Sequence, residues 1–313
     1  MHPSKIEKNL NDALLSAQHK ALLDEINRDL PFGLDWKRGA LKYVAAEIAK
    51  HGREFYTKYL LSKPFSPVTG CAPGQPRSGG VALVENCAYL ANFINAAAII
   101  DLPGGSRVLD VACGSGWVAQ YFLRMGYDAY GFDISEDMVD LARQRILADT
   151  LLVDSVSEIL FKRIFCLNIE KEPLPDEFNK SFDAIILESC LHHFFDPITA
   201  LENLAKCLRD DGLLVIIEGE NRVGQIRPEY LSVMTEFATL ERPYSRHELE
   251  RTLDLVGFPF REFVGRLNGW FSPKDPRVLN LPNIVRGDSD SINFAICSKS
   301  PEPLHRVFPF LSL

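Results

Sequence analysis

The chain lacks the features that would mark it for a membrane, an oxidising compartment or a polyanion. No apolar run approaches the about 20 residues needed to span a bilayer. The opening Met1-His2-Pro3-Ser4-Lys5 leads into polar, amphipathic sequence without the apolar core of a secretory signal. A soluble, cytoplasmic protein with no membrane partner is the expectation. Cationic excess is also missing: 34 Lys and Arg against 42 Asp and Glu leave a net charge of −8, which argues against electrostatic capture of nucleic acid. Paired C-x-x-C spacing is absent, and the seven cysteines, Cys71, Cys87, Cys113, Cys166, Cys190, Cys207 and Cys297, are odd in number and scattered. Neither a zinc site nor a disulfide framework is indicated, so reduced, packed thiols are expected. There is no internal repeat and no low-complexity tract.

What is present divides into two characters. A chain of 313 residues with 46% hydrophobic content can bury one large core plus an added layer. Leu10, Leu14, Leu15, Leu22, Leu23 and Ile26 recur at helical spacing, and a second helix is expected from about Lys37 to Leu61, with Leu41, Val44, Ile48, Phe55 and Tyr59 on one side. The turn-rich stretch from Lys63 to Gly80 is the best boundary, giving a helical extension over 1–80, a catalytic domain over 81–300 and a tail over 301–313. The tail, from His305 to Leu313, is too apolar to be solvated and should dock on the body or on a partner.

From about Val81 helices and strands alternate. Helices are expected at 84–100, 117–125, 136–147 and 197–209, and strands at 107–112, 129–133, 163–168, 182–187 and 213–218, the last after the turn Asp210-Asp211-Gly212. Such alternation predicts a Rossmann-like α/β fold, a mostly parallel sheet with helices on both faces, here with an N-terminal helical addition. Ligands of such sheets bind beyond the carboxyl ends of the strands, where Gly114, Asp133, Asn168 and Glu188 all fall.

Within this frame the run Val108-Leu109-Asp110-Val111-Ala112-Cys113-Gly114-Ser115-Gly116-Trp117 breaks a strand into a glycine turn, and Asp133 closes the next strand. Bare backbone N–H groups at such a turn and an acid that accepts two ribose hydroxyls make a nucleoside site. Gly114 to Ala119 also satisfies the G-x-G-x-x-A dinucleotide pattern. Asp110 decides between the two. A carboxylate at the mouth of the strand opposes a pyrophosphate and attracts an ammonium and a sulfonium, as in S-adenosylmethionine.

These elements resemble the class I S-adenosylmethionine-dependent methyltransferases of the small-molecule branch, through Val108 to Gly116, Gly131-Phe132-Asp133-Ile134-Ser135, and Phe182-Asp183 to Leu191-His192-His193. The resemblance spans residues 84–267, with 292–298 as a last strand, and implies a seven-stranded sheet with one inserted antiparallel strand, a last helix over 246–256 and a sixth strand at 262–264. It places the methionine end of the cofactor near Ala112, Gly114, Gly116 and Asp110, and the ribose on Asp133. Ile134 and Met138 flank the adenine, and Asn168 with Ile169 N–H meets its amino edge. Asparagine departs from the aspartate frequent there, but its carbonyl accepts the same hydrogen bond. A weaker resemblance, through Glu218-Gly219-Glu220 and Leu240 to Arg246, is to methyltransferases found beside bacterial polysaccharide enzymes.

Methyl transfer from a sulfonium needs in-line positioning, and a base when the acceptor is a hydroxyl. His193, just beyond the fourth strand, is the candidate base, with His192 beside it; Glu188 faces the sulfonium or caps a loop, and Asp183 is structural. Glu188-x-x-x-His192 resembles part of a metal-assisted site, but further ligands are not evident, so no metal is expected. Trp36, Tyr43, Phe55, Tyr56 and Tyr59 line an acceptor pocket or pack the added layer, Trp117 shields the cofactor, and Tyr230, Phe237, Arg242 and Tyr244 overhang the acceptor. The expected activity is methylation of a hydroxyl on a metabolite or sugar-containing intermediate. Carbon methylation of a quinone-like acceptor and a non-catalytic cofactor-binding partner are the alternatives. Homo-oligomers are left open.

Overall fold

The short apolar runs between Arg107 and Ser298 become the strands of one sheet in the computed structural model, which describes residues 5–53, 60, 62–65, 88–152, 160–218, 225–264 and 294–309. The strands are β1 (Arg107–Val111), β2 (Asp128–Asp133), β3 (Ile164–Cys166), β4 (Phe182–Glu188), β5 (Leu208–Ile217), β6 (Phe260–Val264) and β7 (Phe294–Ser298). Their order is β3-β2-β1-β4-β5-β7-β6, and only β7 runs antiparallel to its neighbours. The chain moves outward from β1 to one edge and returns through β4 toward the other. The crevice between β1 and β4 is therefore the topological switch point, where open α/β sheets bind ligands.

Alternation along each strand sends side chains to two separate cores. Leu109, Val111, Ile185, Leu187, Leu214 and Ile216 belong to one. Val108, Ala184, Ile186, Leu213, Val215 and Ile217 belong to the other. Every second residue changing core is the period-2 signature of a sheet covered on both faces.

The first face is covered by α1 (Lys5–Ile26), α8 (Pro197–Cys207) and α10 (Arg246–Leu255). Leu22 and Ile26 of α1 are buried there at 3% and 0% exposure, so α1 shares its core with the sheet. The second face carries α4 (Ala88–Ile100), α5 (Trp117–Arg124), α6 (Glu136–Leu147) and α11 (Pro301–Val307). Leu304 and Phe308 of the C-terminal segment are buried in that core, which is how the apolar tail docks on the body; 310–313 lie outside the described residues. Asp183 accepts Arg107 N–H at 2.8 Å and pairs with Arg209 at 3.4 Å, which ties the starts of β1 and β4 together.

Three elements differ from expectation. Among the described residues the helix expected from Lys37 to Leu61 is broken at Lys42, between α2 (Trp36–Leu41) and α3 (Tyr43–His51), and Leu41 is exposed. Lys42 leaves helical geometry at φ −107°, ψ 23°, and Gly52 at φ 76° ends α3 by donating to Ile48 C=O. Phe55, Tyr56 and Tyr59 lie outside the described residues, as does most of the 63–80 boundary. The expected turn at Asp210-Asp211-Gly212 lies within β5, whose pairing with β4 shifts register between Phe182 and Ala184. Extension begins at Leu208 because Cys207 ends α8 two residues earlier than expected. Cys113, Cys190, Cys207 and Cys297 are buried free thiols and Cys166 is an exposed one; Cys71 and Cys87 lie outside the described residues.

The remaining described helices are α7 (Leu160–Arg163) and α9 (Pro228–Phe237). No helix among the described residues is long and apolar enough to cross a membrane.

Candidate active site

The end of β1 cannot continue as a strand. Ala112, Gly114 and Gly116 take positive φ of 48°, 51° and 71°, a turn that glycine makes without strain and that brings α5 in directly behind it. Gly116 is also fixed by packing, because a Cβ there would stand 2.6 Å from that of Ala142 on α6. At Gly114 the space beside the backbone is open.

Two acids hold this turn. Asp110 accepts Ala119 N–H at 3.1 Å and so anchors the first turn of α5 to β1. Asp133 accepts Gly114 N–H at 3.0 Å and Ser135 N–H at 2.9 Å, linking the turn to the end of β2 and the start of α6. Burial raises the carboxyls of both above the usual range, Asp110 the more strongly, with backbone N–H donors opposing the shift. An ionised carboxylate has about four acceptor positions. The backbone donors at Asp133 therefore leave acceptor capacity for a hydroxyl ligand.

Both acids line a cavity of about 810 Å³ outside β1 and β4. Ala112, Gly114, Ile134, Met138, Asn168, Ile169 and Glu188 line it too, so the expected cofactor residues other than Gly116 share one wall system. Gly116 lies behind the turn, against α6. Asn168 Oδ1 accepts Glu170 N–H at 3.2 Å, and Ile169 C=O accepts from Asn203 at 2.8 Å, which fixes the segment after β3. The hydroxyl of Ser115, also on the lining, is buried without a hydrogen-bond partner. An open glycine backbone, an orphaned buried hydroxyl and a half-used carboxylate are what a nucleoside with a polar amino-acid tail would complete.

Glu188 ends β4 facing the same cavity and receives the Ser189 hydroxyl at 3.1 Å. Burial pushes it up to about 7, against the pull of Lys63 and the Ser189 hydrogen bond.

The same cavity is also lined by α2, α3, α9, the segment after α9 and the short 3₁₀ turn Leu191–His193, with Tyr43 of α3 packed beside Met138. Trp36, Ala40, Tyr43 and Glu47 face it from α2 and α3, and Tyr230 and Phe237 from α9. Helix α2 can lie this close only because residue 39 is glycine, since a Cβ there would overlap Ala238 C=O.

His193 and His192 line the cavity as well, with rings 4.0 Å apart. His192 Nδ1–H donates to Glu218 at 2.6 Å, and Glu218 is itself held by Leu191 N–H at 2.8 Å. Burial works to lower His192, but the charge and hydrogen bond of Glu218, with Glu241 and Glu188, lift it above its ordinary value. His193 Nδ1–H donates to Leu240 C=O at 2.5 Å, and Tyr43 meets its ring edge-on at 5.5 Å. Burial and then the neighbouring His192 lower His193 to about 4, so it is neutral near pH 7 and a weak base.

Two residues expected over the acceptor are placed elsewhere. Arg242 is 1% exposed and donates to Asn27, Phe194 C=O and Tyr244 OH, and Tyr244 OH bonds Leu191 C=O at 3.3 Å. They form a brace beneath the histidine turn, because a buried guanidinium must spend its donors on fixed acceptors. Trp117 packs edge-on against Tyr89, Phe93 and Tyr121 while touching the cavity. Glu47 was missed by the sequence reading, and Glu218 and Glu241 were noticed there only as part of a resemblance. For Glu47 a signal existed, in the helical spacing Trp36, Ala40, Tyr43, Glu47. Gly219 and Glu220 lie outside the described residues.

Residues 85–262 match a family described as methyltransferase domain. The ubiquinone biosynthesis O-methyltransferase of Xanthomonas campestris pv. campestris is 31% identical over 120 residues, 38% of this chain and 45% of that protein. The match thus spans less than half the length of this curated relative. Among solved structures, geranyl diphosphate C-methyltransferase from Streptomyces coelicolor A3(2) superposes with a TM-score of 0.51 at 15% identity, covering 85% of this chain and 97% of that one. Phosphoethanolamine N-methyltransferase 2 of Haemonchus contortus gives 0.50 at 16% identity, covering 74% and 46%. At such identities the structures establish a shared fold.

Proposed function

The chain belongs to the methyltransferase-domain family as a class I S-adenosylmethionine-dependent enzyme, and from that premise we propose that it methylates a hydroxyl of a small molecule held beside His192 and His193. The observation that carries this reading is that one cavity is lined both by Gly114 and Asp133 and by the paired histidines. Bound S-adenosylmethionine supplies an activated methyl group on a sulfonium. Asp133 accepts the ribose hydroxyls, Ile134 and Met138 flank the base, and Asn168 and Ile169 meet its amino edge. Asp110 and the backbone from Ala112 to Gly114 take the amino-acid end, and Glu188 faces the sulfonium.

The acceptor end argues for a flat, uncharged molecule. Trp36, Tyr43, Phe194, Tyr230 and Phe237 present aromatic faces and edges. Glu47, Glu236 and Glu241 line the same cavity, against Lys63 and His192 as the basic groups there. Without a bound cation a phosphate or diphosphate would be repelled there, whereas a hydroxylated ring would not. The name of the curated relative, an O-methyltransferase of ubiquinone biosynthesis, supports the same chemistry. Helices α2 and α3 of the helical extension expected over 1–80 then act as the lid over this acceptor.

The test is acceptor-dependent release of S-adenosylhomocysteine with a panel of vicinal ring diols, simple phenols and sugars. A methyl ether formed from a ring hydroxyl is expected. A new carbon–methyl bond would support the quinone-like alternative, and cofactor binding without any turnover would support a non-catalytic role.

A further inference from the structure

His192 and His193 meet Glu241, from the segment after α9, at the acceptor end of the cavity. We propose that His192 Nε2, His193 Nε2 and the Glu241 carboxylate bind a divalent first-row transition-metal ion.

One ligand atom from each residue lies within 4.8 Å of the other two, and His192 Nε2 stands 3.7 Å from a Glu241 oxygen. An ion with bonds of about 2.1 Å holds neighbouring donors roughly 3 to 3.5 Å apart, so closure asks for side-chain movements on the order of 1 Å. Orientation is already in place. Each imidazole gives its Nδ1–H to a fixed acceptor, His192 to Glu218 at 2.6 Å and His193 to Leu240 C=O at 2.5 Å. That fixes the tautomer and leaves Nε2 as the ligand atom, the arrangement metal-binding histidines almost always have. Two imidazoles with one carboxylate select zinc, iron, cobalt or manganese over magnesium or calcium, which prefer all-oxygen sets.

Three protein ligands leave coordination positions open toward the cavity. A hydroxyl oxygen bound there becomes more acidic, and its proton passes to water. The ion also offsets the negative charge an ionised hydroxyl would otherwise bring among Glu47, Glu236 and Glu241. His193 thereby serves as a ligand, and the role of base expected for it falls to water, with the ion making the hydroxyl acidic enough to give up its proton. This use of the ion rests on the acceptor reading above, whereas ion binding does not depend on it.

The probe is Co²⁺, titrated into the full chain after chelator treatment, without S-adenosylmethionine or acceptor. One equivalent is expected, with the visible spectrum of nitrogen- and oxygen-ligated cobalt and two paramagnetically shifted, exchangeable imidazole N–H protons. His192→Ala and Glu241→Gln should lose stoichiometric binding, and Glu218→Gln, which weakens the hold on the His192 ring without removing a ligand, should weaken it by about 10- to 100-fold. Absence of stoichiometric binding, or a spectrum unchanged in Glu241→Gln, overturns the proposal. Should a variant fail to fold by circular dichroism, the unmutated chain decides, and fewer than two shifted imidazole protons overturn it. Turnover is measured separately. A bound ion without turnover on any hydroxyl would sink the acceptor reading and leave the ion site standing; undiminished turnover in chelator-treated enzyme would sink the ion's role alone.

Discussion

At Asp133 a single carboxylate sets the glycine turn through Gly114, starts α6 through Ser135, and faces the cavity with its remaining lone pairs. Asp110 is similarly divided, since the acid that reads in the sequence as a charge for an ammonium also anchors the first turn of α5 at Ala119. Charge and spacing made both acids legible. Their backbone partners were not, because these depend on where the turn carries N–H groups that any residue could supply. Glu188 yields a pH prediction. Burial holds it at about 7, Lys63 and His192 pull it down, and Glu218 pushes it up. Because its pKa is raised, the neutral form dominates below about 7, and a cation bound beside it favours the charged form. Binding of S-adenosylmethionine should therefore release a proton and tighten from about pH 6 to about pH 8. S-adenosylhomocysteine, lacking the sulfonium, should change less. Calorimetry of both ligands at the two pH values checks this, and equal pH dependence would place Glu188 away from the sulfonium.

Elements with strong local signals were read with little error. Helix α6 runs from Glu136 to Leu147 as expected, and α10 begins at Arg246 because Ser245 and Glu248 cap it reciprocally, Ser245 Oγ accepting Glu248 N–H at 3.3 Å and Glu248 accepting Ser245 N–H at 2.8 Å. Ser245→Ala should cost about 0.5 to 2 kcal/mol of stability, read from urea unfolding, while leaving cofactor affinity unchanged. The α2–α3 break was not legible, since Lys42, which leaves helical geometry there, carries no helix-breaking chemistry. Glu241 was hidden for a related reason. Its place beside His192 depends on the path of the chain after α9, which the buried Arg242 holds down through Phe194 and Tyr244.

At the scale of the molecule the strand order puts a crevice between β1 and β4, and the two ends of the proposed reaction lie along it, the nucleoside turn after β1 and the histidine turn after β4. The alternating pattern of the sequence was enough for the sheet and for the rim on which Gly114, Asp133, Asn168 and Glu188 stand. It did not show that α1 enters the same core through Leu22 and Ile26, since an amphipathic helix does not name the surface it covers. The reading turns on the identity of the nucleoside cofactor, so the most direct measurement is calorimetric titration of S-adenosylmethionine and of NAD into the full chain and into Asp133→Ala. S-adenosylmethionine should bind more tightly than NAD, and the variant should lose roughly 1.5 to 3 kcal/mol, on the order of 10- to 150-fold, without unfolding. Tighter binding of NAD, or undiminished affinity for S-adenosylmethionine in Asp133→Ala, would contradict it.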